Sequence, residues 1–250
     1  MTPQFRFKTV GLTHEGLVRS ANEDAMLDRG DIGVWAVADG MGGHENGRWA
    51  SSAVVASLAG VSLQGELVGD TDRIADAIHS ANATIHATAE AAGKRMGSTV
   101  VVLHICGERF QCYWAGDSRI YLLRAGQLVQ LTRDHTQVED MVERGLLTRT
   151  EAWRHPMAHV LSRAIGVEPE LRLDALADTV EPRDVFLLCS DGLTGLVSEA
   201  EIAERLSSFN PQTACNRLLD LVLSRGGSDN VTMVAVLCEE ATTLAAIVEA

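Results

Sequence analysis

Several carboxylates in this chain stand at the ends of apolar runs. Trp35-Ala-Val-Ala leads into Asp39-Gly40, Val185-Phe-Leu-Leu-Cys-Ser leads into Asp191-Gly192, and Ser228-Asp229-Asn230 opens the run Val231 to Leu237. Asp117, in Gly116-Asp117-Ser118-Arg119, lies between two further runs. An unpaired carboxylate at the end of a buried strand is costly and would sooner protonate than stay charged. Several of them brought together need a cation. Oxygen donors with no Cys or His beside them select hard divalent ions, Mg²⁺ or Mn²⁺, over Zn²⁺. The glycines after Asp39 and Asp191 would let a backbone carbonyl approach an ion or its waters. Taken singly, each Asp-Gly pair reads better as a turn than as a ligand.

Arg19-Ser-Ala-Asn22-Glu23-Asp24 puts a guanidinium five residues before a carboxylate, which suits an arginine that grips phosphate beside a metal site. Its plainer reading is a solvated polar loop. The stretch Asp39 to Gly47 is rich in glycine and follows a strand directly, so its backbone can approach a ligand closely. It fits no G-x-G-x-x-G register, and no G-x-x-x-x-G-K-[ST] occurs in the chain. No cysteine has an arginine six residues on, as a Cys-dependent phosphatase would need, and no G-x-S-x-G elbow is present.

Strand-like runs occur at Trp35 to Ala38, Thr99 to Ile105, Phe110 to Ala115, Ile120 to Leu123, Leu128 to Leu131, Val185 to Cys189 and Val231 to Leu237. Between Thr99 and Leu131 the connections are too short for a helical crossover, which predicts an antiparallel meander. Ile74, Ile78, Ala81 and Ile85 step by 4, 3 and 4, one face of a long helix between Thr71 and Met96. A second helix is expected over Arg48 to Leu63. Ser198-Glu-Ala-Glu201 reads as a capping box and Asn210-Pro211 as a cap followed by Pro at the first helical position. Helices grouped before and after the strands predict an α+β fold of antiparallel sheets covered by helices.

The chain has 250 residues, 46% hydrophobic and 22% charged, an ordinary globular composition expected to form one domain spanning 1–250. Its net charge of −13 argues against nucleic acid or an anionic membrane as partner, and against a metal-dependent nuclease. No run approaches the roughly 20 apolar residues that cross a bilayer, and the N-terminus lacks a secretory signal, so a cytoplasmic location is expected. The five cysteines form no C-x-x-C pair and read as reduced, mostly buried small hydrophobes.

The motifs R-S-A-N-E-D-A, V-A-D-G-M-G-G-H, G-S-T-V-V, A-G-D-S-R-I-Y, L-T-R-D-H, L-S-R-A-I-G, L-L-C-S-D-G-L and S-D-N-V-T follow one another between Arg19 and Thr232. In this the chain resembles the bacterial metal-dependent Ser/Thr protein phosphatases of type 2C, the PPM family. The resemblance implies an α-β-β-α sandwich of two antiparallel sheets flanked by helices. It implies two core Mn²⁺ or Mg²⁺ ions, with Asp39 bridging them, the Gly40 carbonyl completing one, and Asp191 and Asp229 holding the other. Glu23 and Asp24 would act through waters, Asp117 with Asp191 would hold a weaker third ion, and Arg19 would bind substrate phosphate.

The implied reaction is hydrolysis of phosphoserine and phosphothreonine in proteins by a water activated between two ions. His44, in the loop after Asp39, is the candidate to protonate the leaving alkoxide, although the eukaryotic pattern has a His directly after the Asp-Gly pair where this chain has Met41. The polar segment 134–163, with His135 and a possible capping box Thr148-Arg-Thr-Glu151, resembles the family's flap beside the active site. Implied partners are phosphoproteins, including a eukaryotic-type bacterial Ser/Thr kinase or its substrates, acted on by a monomer. The alternative is a pseudophosphatase, a regulatory phosphoprotein-binding module of the same fold.

Overall fold

The computed structural model describes residues 5–43, 45–153 and 155–241. Its strands are β1 (Phe5–His14), β2 (Asp24–Arg29), β3 (Val34–Met41), β4 (Gly97–Ser98), β5 (Val100–Cys106), β6 (Arg109–Ala115), β7 (Arg119–Arg124), β8 (Gln127–Gln130), β9 (Asp174–Thr179), β10 (Val185–Cys189) and β11 (Val231–Glu240). Its helices are α1 (Glu45–Ala59), α2 (Leu67–Ala92), α3 (Gln137–Glu143), α4 (Arg149–Trp153), α5 (Asp191–Thr194), α6 (Glu199–Leu206) and α7 (Pro211–Ser224). The strands form two antiparallel sheets, one ordered β1-β11-β10-β7-β8 and the other β2-β3-β5-β6-β9, with β4 paired to β3.

Period-two alternation sets the layers. On β3, Trp35 and Val37 join Val101, Leu103, Phe186, Leu188, Val234 and Val236 in a core between the sheets. Val34, Ala36 and Ala38 pack outward against Val54, Leu58, Ile74, Ile78 and Ile85 of α1 and α2. Leu187, Met233 and Ala235 face outward on the second sheet against Ile202, Leu218 and Val222 of α6 and α7. Central strands thus have both faces covered and read as unbroken apolar runs. The order of layers is helices, sheet, sheet, helices, as the resemblance implied.

Helix ends follow local chemistry. Ser198 and Glu201 close both arms of the capping box, and Asn210 accepts from the Thr213 N–H with Pro211 in the first turn. Thr148 and Glu151 exchange the same pair of bonds at the start of α4.

The four-strand meander expected between Thr99 and Leu131 is not one sheet. β5 and β6 form a hairpin in one sheet, β7 and β8 a hairpin in the other, and Gly116-Asp117-Ser118 carries the chain across. Local sequence cannot separate a hairpin turn from a sheet crossing when the strands on both sides are buried on both faces. The crossing puts Asp117 at the end of the sandwich rather than in a solvent-exposed turn, and only 9% of it is exposed.

Candidate active site

One end of the sandwich gathers the carboxylates. Asp39 shares the parity of Trp35 and Val37, which aims it into the gap between the sheets. The β2–β3 register sets Asp24 directly opposite Asp39, where two like charges oppose folding. The Asp39 backbone is gripped by the next strand: its N–H donates to Thr99 Oγ1 at 3.0 Å, and its carbonyl accepts from the Thr99 N–H at 2.8 Å and Ser98 Oγ at 3.0 Å. From the second sheet β10 ends at Ser190, whose Oγ donates to Asp24 Oδ2 at 2.8 Å, and Asp191 follows as the first residue of α5. Asp229 arrives just before β11. Asp24 Oδ1 is buried with no hydrogen-bond partner.

The loop carrying Arg19 is stapled to Asp229 by Asn230, which the sequence reading had not singled out. Asn230 Nδ2 donates to the carbonyls of Glu15 and Ala21, both at 2.9 Å, and its Oδ1 accepts from the Glu23 N–H at 2.8 Å. Arg19 Nη2 then reaches Asp229 Oδ2 at 2.8 Å, with 54% of the arginine side chain still exposed. A half-exposed pair of this kind contributes about 1 kcal/mol or less, so phosphate can take the guanidinium at little cost. Asn230→Ala removes the partner of three backbone groups, and it should lower stability by about 1–3 kcal/mol while raising KM more than it lowers kcat. Denaturant melts and steady-state kinetics check this; unchanged values in both would remove the staple.

The Gly116–Ser118 crossing is fixed from both sides. Ser118 Oγ and Thr99 Oγ1 are 2.7 Å apart. The His135 N–H donates to the Gly116 carbonyl at 2.9 Å, and the Gly116 N–H donates to His135 Nδ1 at 3.1 Å. That acceptor role leaves the proton on Nε2, which lies 3.2 Å from Asp174 Oδ2. Gly116 has φ +112, and a Cβ there would press on the Thr99 side chain at 2.6 Å, so glycine is required. A Cβ on Gly40 would run into the backbone of Gly47 and Glu23, and one on Gly47 into the Glu23 carboxylate. These glycines let backbone pack on backbone, whereas the sequence predicts a close approach to a ligand.

Electrostatics define what this cluster lacks. Burial, followed by the charges of Asp24, Asp191, Asp117 and Asp229, holds the Asp39 carboxyl well above the usual range. Burial raises Asp117 to about 8, with Asp191 and Asp134 adding to it. Burial raises Asp24 to about 6 against the lowering hydrogen bond from Ser190, and burial then Asp229 raise Asp191. Protons therefore do here what divalent cations would do better. An all-oxygen donor set, an orphaned carboxylate oxygen and a glycine-lined approach fit hard divalent ions.

These carboxyls bind protons more tightly folded than unfolded, so metal-free stability falls as pH rises from about 4 to about 8. In chelator, the melting temperature should be higher near pH 5 than near pH 8, and Mn²⁺ should remove the difference. A metal-free stability that rises across that window would contradict the account.

The carboxylates floor a cleft of about 750 Å³, with Arg19, Glu23, Gly40 and Asn230 also in its lining. All the predicted site residues that the structure describes, Arg19, Glu23, Asp24, Asp39, Gly40, Asp117, Asp191 and Asp229, come to this end of the fold. His44 lies outside the described residues. His159 was not anticipated: its Nδ1 is 3.8 Å from Asp191 Oδ2, with the side chain 79% exposed. It belongs to the segment 134–163, whose returning stretch pairs Thr136 with Leu161 and contributes Val160, Leu161, Ser162 and Arg163 to the cleft wall.

A two-sheet sandwich with a buried acidic cluster and an arginine at one end offers oxygen donors suited to hard divalent cations beside a guanidinium suited to phosphate. Residues 11–231 match the Protein phosphatase 2C family. The chain is 39% identical over 228 residues to the serine/threonine protein phosphatase PstP of Mycobacterium tuberculosis, covering 88% of this chain; it spans 42% of that relative's length. Among solved structures it superposes with TM-score 0.88 and 37% identity on PppA, a key regulatory component of T6SS in Pseudomonas aeruginosa, over 93% of this chain and 97% of that one. It superposes with TM-score 0.84 and 34% identity on the catalytic domain of PstP in complex with two manganese ions, over 95% of this chain and 100% of that one. The chain belongs to the protein phosphatase 2C family.

Proposed function

We propose that this chain hydrolyses phosphoserine and phosphothreonine in proteins, using two Mn²⁺ or Mg²⁺ ions held by the acidic cluster. The observation that carries this reading is the meeting of Asp39, Asp191 and Asp229 from two sheets beside a half-exposed Arg19. Family membership and the two manganese ions in the PstP domain support it. When bound, such ions lower the pKa of an attacking water and neutralise phosphoryl charge.

In this reading Asp39, the Gly40 carbonyl, Asp191 and Asp229 would hold the two ions, Asp39 serving both. Glu23 and Asp24 act through waters, and Asp117 with Asp191 supports a weaker third ion. Arg19 leaves Asp229 to bind two phosphoryl oxygens, which fixes the phosphate in line with the nucleophile. Ser98 and Thr99 keep Asp39 from following its charge outward. His44 is proposed as the proton donor to the leaving alkoxide.

We read residues 1–250 as one phosphatase domain, monomeric and cytoplasmic, with 134–163 as a flap over the cleft. No helix among the described residues is long and apolar enough to cross a membrane. The substrates are taken to be proteins phosphorylated by a eukaryotic-type bacterial Ser/Thr kinase, whose turnover this enzyme opposes. A pseudophosphatase reading is not favoured, because each expected ligand position keeps its carboxylate. Phosphate release from a phosphothreonine peptide tests the proposal. Turnover with Mn²⁺ that stops in excess chelator is expected, and a folded protein inert in both conditions would overturn it.

A further inference from the structure

Strand β5 has a second chemical end. Its first residues lie beside Asp39, and its last, six residues on at about 3.3 Å each, are about 20 Å away. There His104 and Cys106, two apart, share the face on which Val100 and Val102 pack toward α1 and α2. Asp70, in the first turn of α2, comes down onto them and is wholly buried. A His104 ring nitrogen, an Asp70 carboxylate oxygen and Cys106 Sγ lie within 4.8 Å of one another.

The imidazole supplies an independent sign. His104 is 1% exposed, and its Nδ1 lies 3.1 Å from the Gly33 carbonyl. A carbonyl can only accept, so Nδ1 carries the proton and the lone pair is on Nε2. Nε2 is buried with no hydrogen-bond partner. With Nδ1 committed to the neighbouring strand, Nε2 is the ring nitrogen left to bind an ion. A histidine whose second ring nitrogen is anchored on a backbone carbonyl has the arrangement of a metal ligand.

The other two ligands are compatible with this. Asp70 accepts from the N–H groups of Gln64, Gly65 and Glu66 at 2.7, 2.8 and 3.1 Å, which fixes its orientation. Its fourth partner, Arg73 Nη1, is the most distant at 3.4 Å and belongs to a side chain 39% exposed, so it can be displaced. Cys106 Sγ is partly exposed and donates to the Gly65 carbonyl at 3.3 Å.

We propose that Asp70, His104 and Cys106 form a Zn²⁺ site, with water in the fourth position, distinct from the phosphatase cleft. The mixed N, S and O donor set suits Zn²⁺ better than the hard ions expected at the cleft. Zn–S and Zn–N bonds of about 2.3 and 2.0 Å need the ligand atoms to close by about an ångström, within reach of a Cys106 rotation. On binding, the thiol proton passes to solvent and its bond to Gly65 is given up. The ion would tie the start of α2 and the loop 64–66 to β5.

Co²⁺ is the probe. Reduced, chelator-stripped protein titrated with Co²⁺ should develop a sulfur-to-cobalt charge-transfer band saturating at one ion, because no cysteine lines the cleft. The band should vanish in Cys106→Ser and collapse in His104→Ala. With the cleft already saturated by Mn²⁺, added Zn²⁺ should raise the melting temperature of the parent protein but not of Cys106→Ser, while Mn²⁺-dependent turnover stays equal in the two. No band in the parent, a band surviving Cys106→Ser, or one indifferent to His104→Ala would each overturn the site. Cys106→Ser removes a single partly exposed atom, so this test does not depend on a fold-sensitive variant. The phosphatase reading is measured on a different signal and stands or falls separately.

Discussion

Asp39→Asn should lower Mn²⁺-dependent turnover by at least about a thousandfold, roughly 4 kcal/mol of transition-state stabilisation, without unfolding the protein. The residue sits where the two sheets meet the acidic cluster, its backbone pinned by Ser98 and Thr99. Those contacts are main-chain and survive the substitution. The amide is nearly the shape of the carboxyl, but it is a poor ligand for a hard cation. It also removes one of five mutually repelling carboxyls. The metal-free variant should therefore melt at or above the metal-free parent, which separates loss of the ions from loss of the fold. Near-parental turnover would remove Asp39 from the metal-binding set.

Arg19→Ala should raise KM by about 10- to 100-fold and lower kcat less, since a charge-assisted bond to phosphate contributes about 1.5–3 kcal/mol and much of it is present in the ground state. Arg19 is tethered to Asp229 at the surface of the cleft through a half-exposed ion pair. The melting temperature should hardly change. Inorganic phosphate, a product and competitive ligand, should lose affinity by a similar factor. A variant with unaltered KM and unaltered phosphate inhibition would make Arg19 a loop residue.

The strand-end positions of Asp39, Asp191 and Asp229 could be read from sequence, because a carboxylate directly after an apolar run is a local pattern. Their convergence could not be derived that way, since it depends on two sheets stacking face to face; only the resemblance to a known family supplied it. The helix starts at Ser198 and Asn210 were legible because capping is satisfied within four residues. The connection at Asp117 reads locally as a turn of one meander, because its change of sheet leaves no local mark, and only the resemblance places Asp117 with Asp191. Asn230 and His135 act through backbone groups of distant segments, and Ser190 through the Asp24 carboxylate. Such a role has no residue-type signature. Asp70 was hidden inside the amphipathic pattern of α2, and only its burial beside His104 sets it apart.

The central claim is that the carboxylates at this end of the sandwich hold the ions that do the chemistry. Crystals of the protein grown with Mn²⁺ and measured at the manganese absorption edge test it most directly. Two anomalous peaks within bonding distance of Asp39, one also touching Asp191 and Asp229, are the predicted result. A protein that turns over substrate with Mn²⁺ yet shows no anomalous density at Asp39 would contradict it.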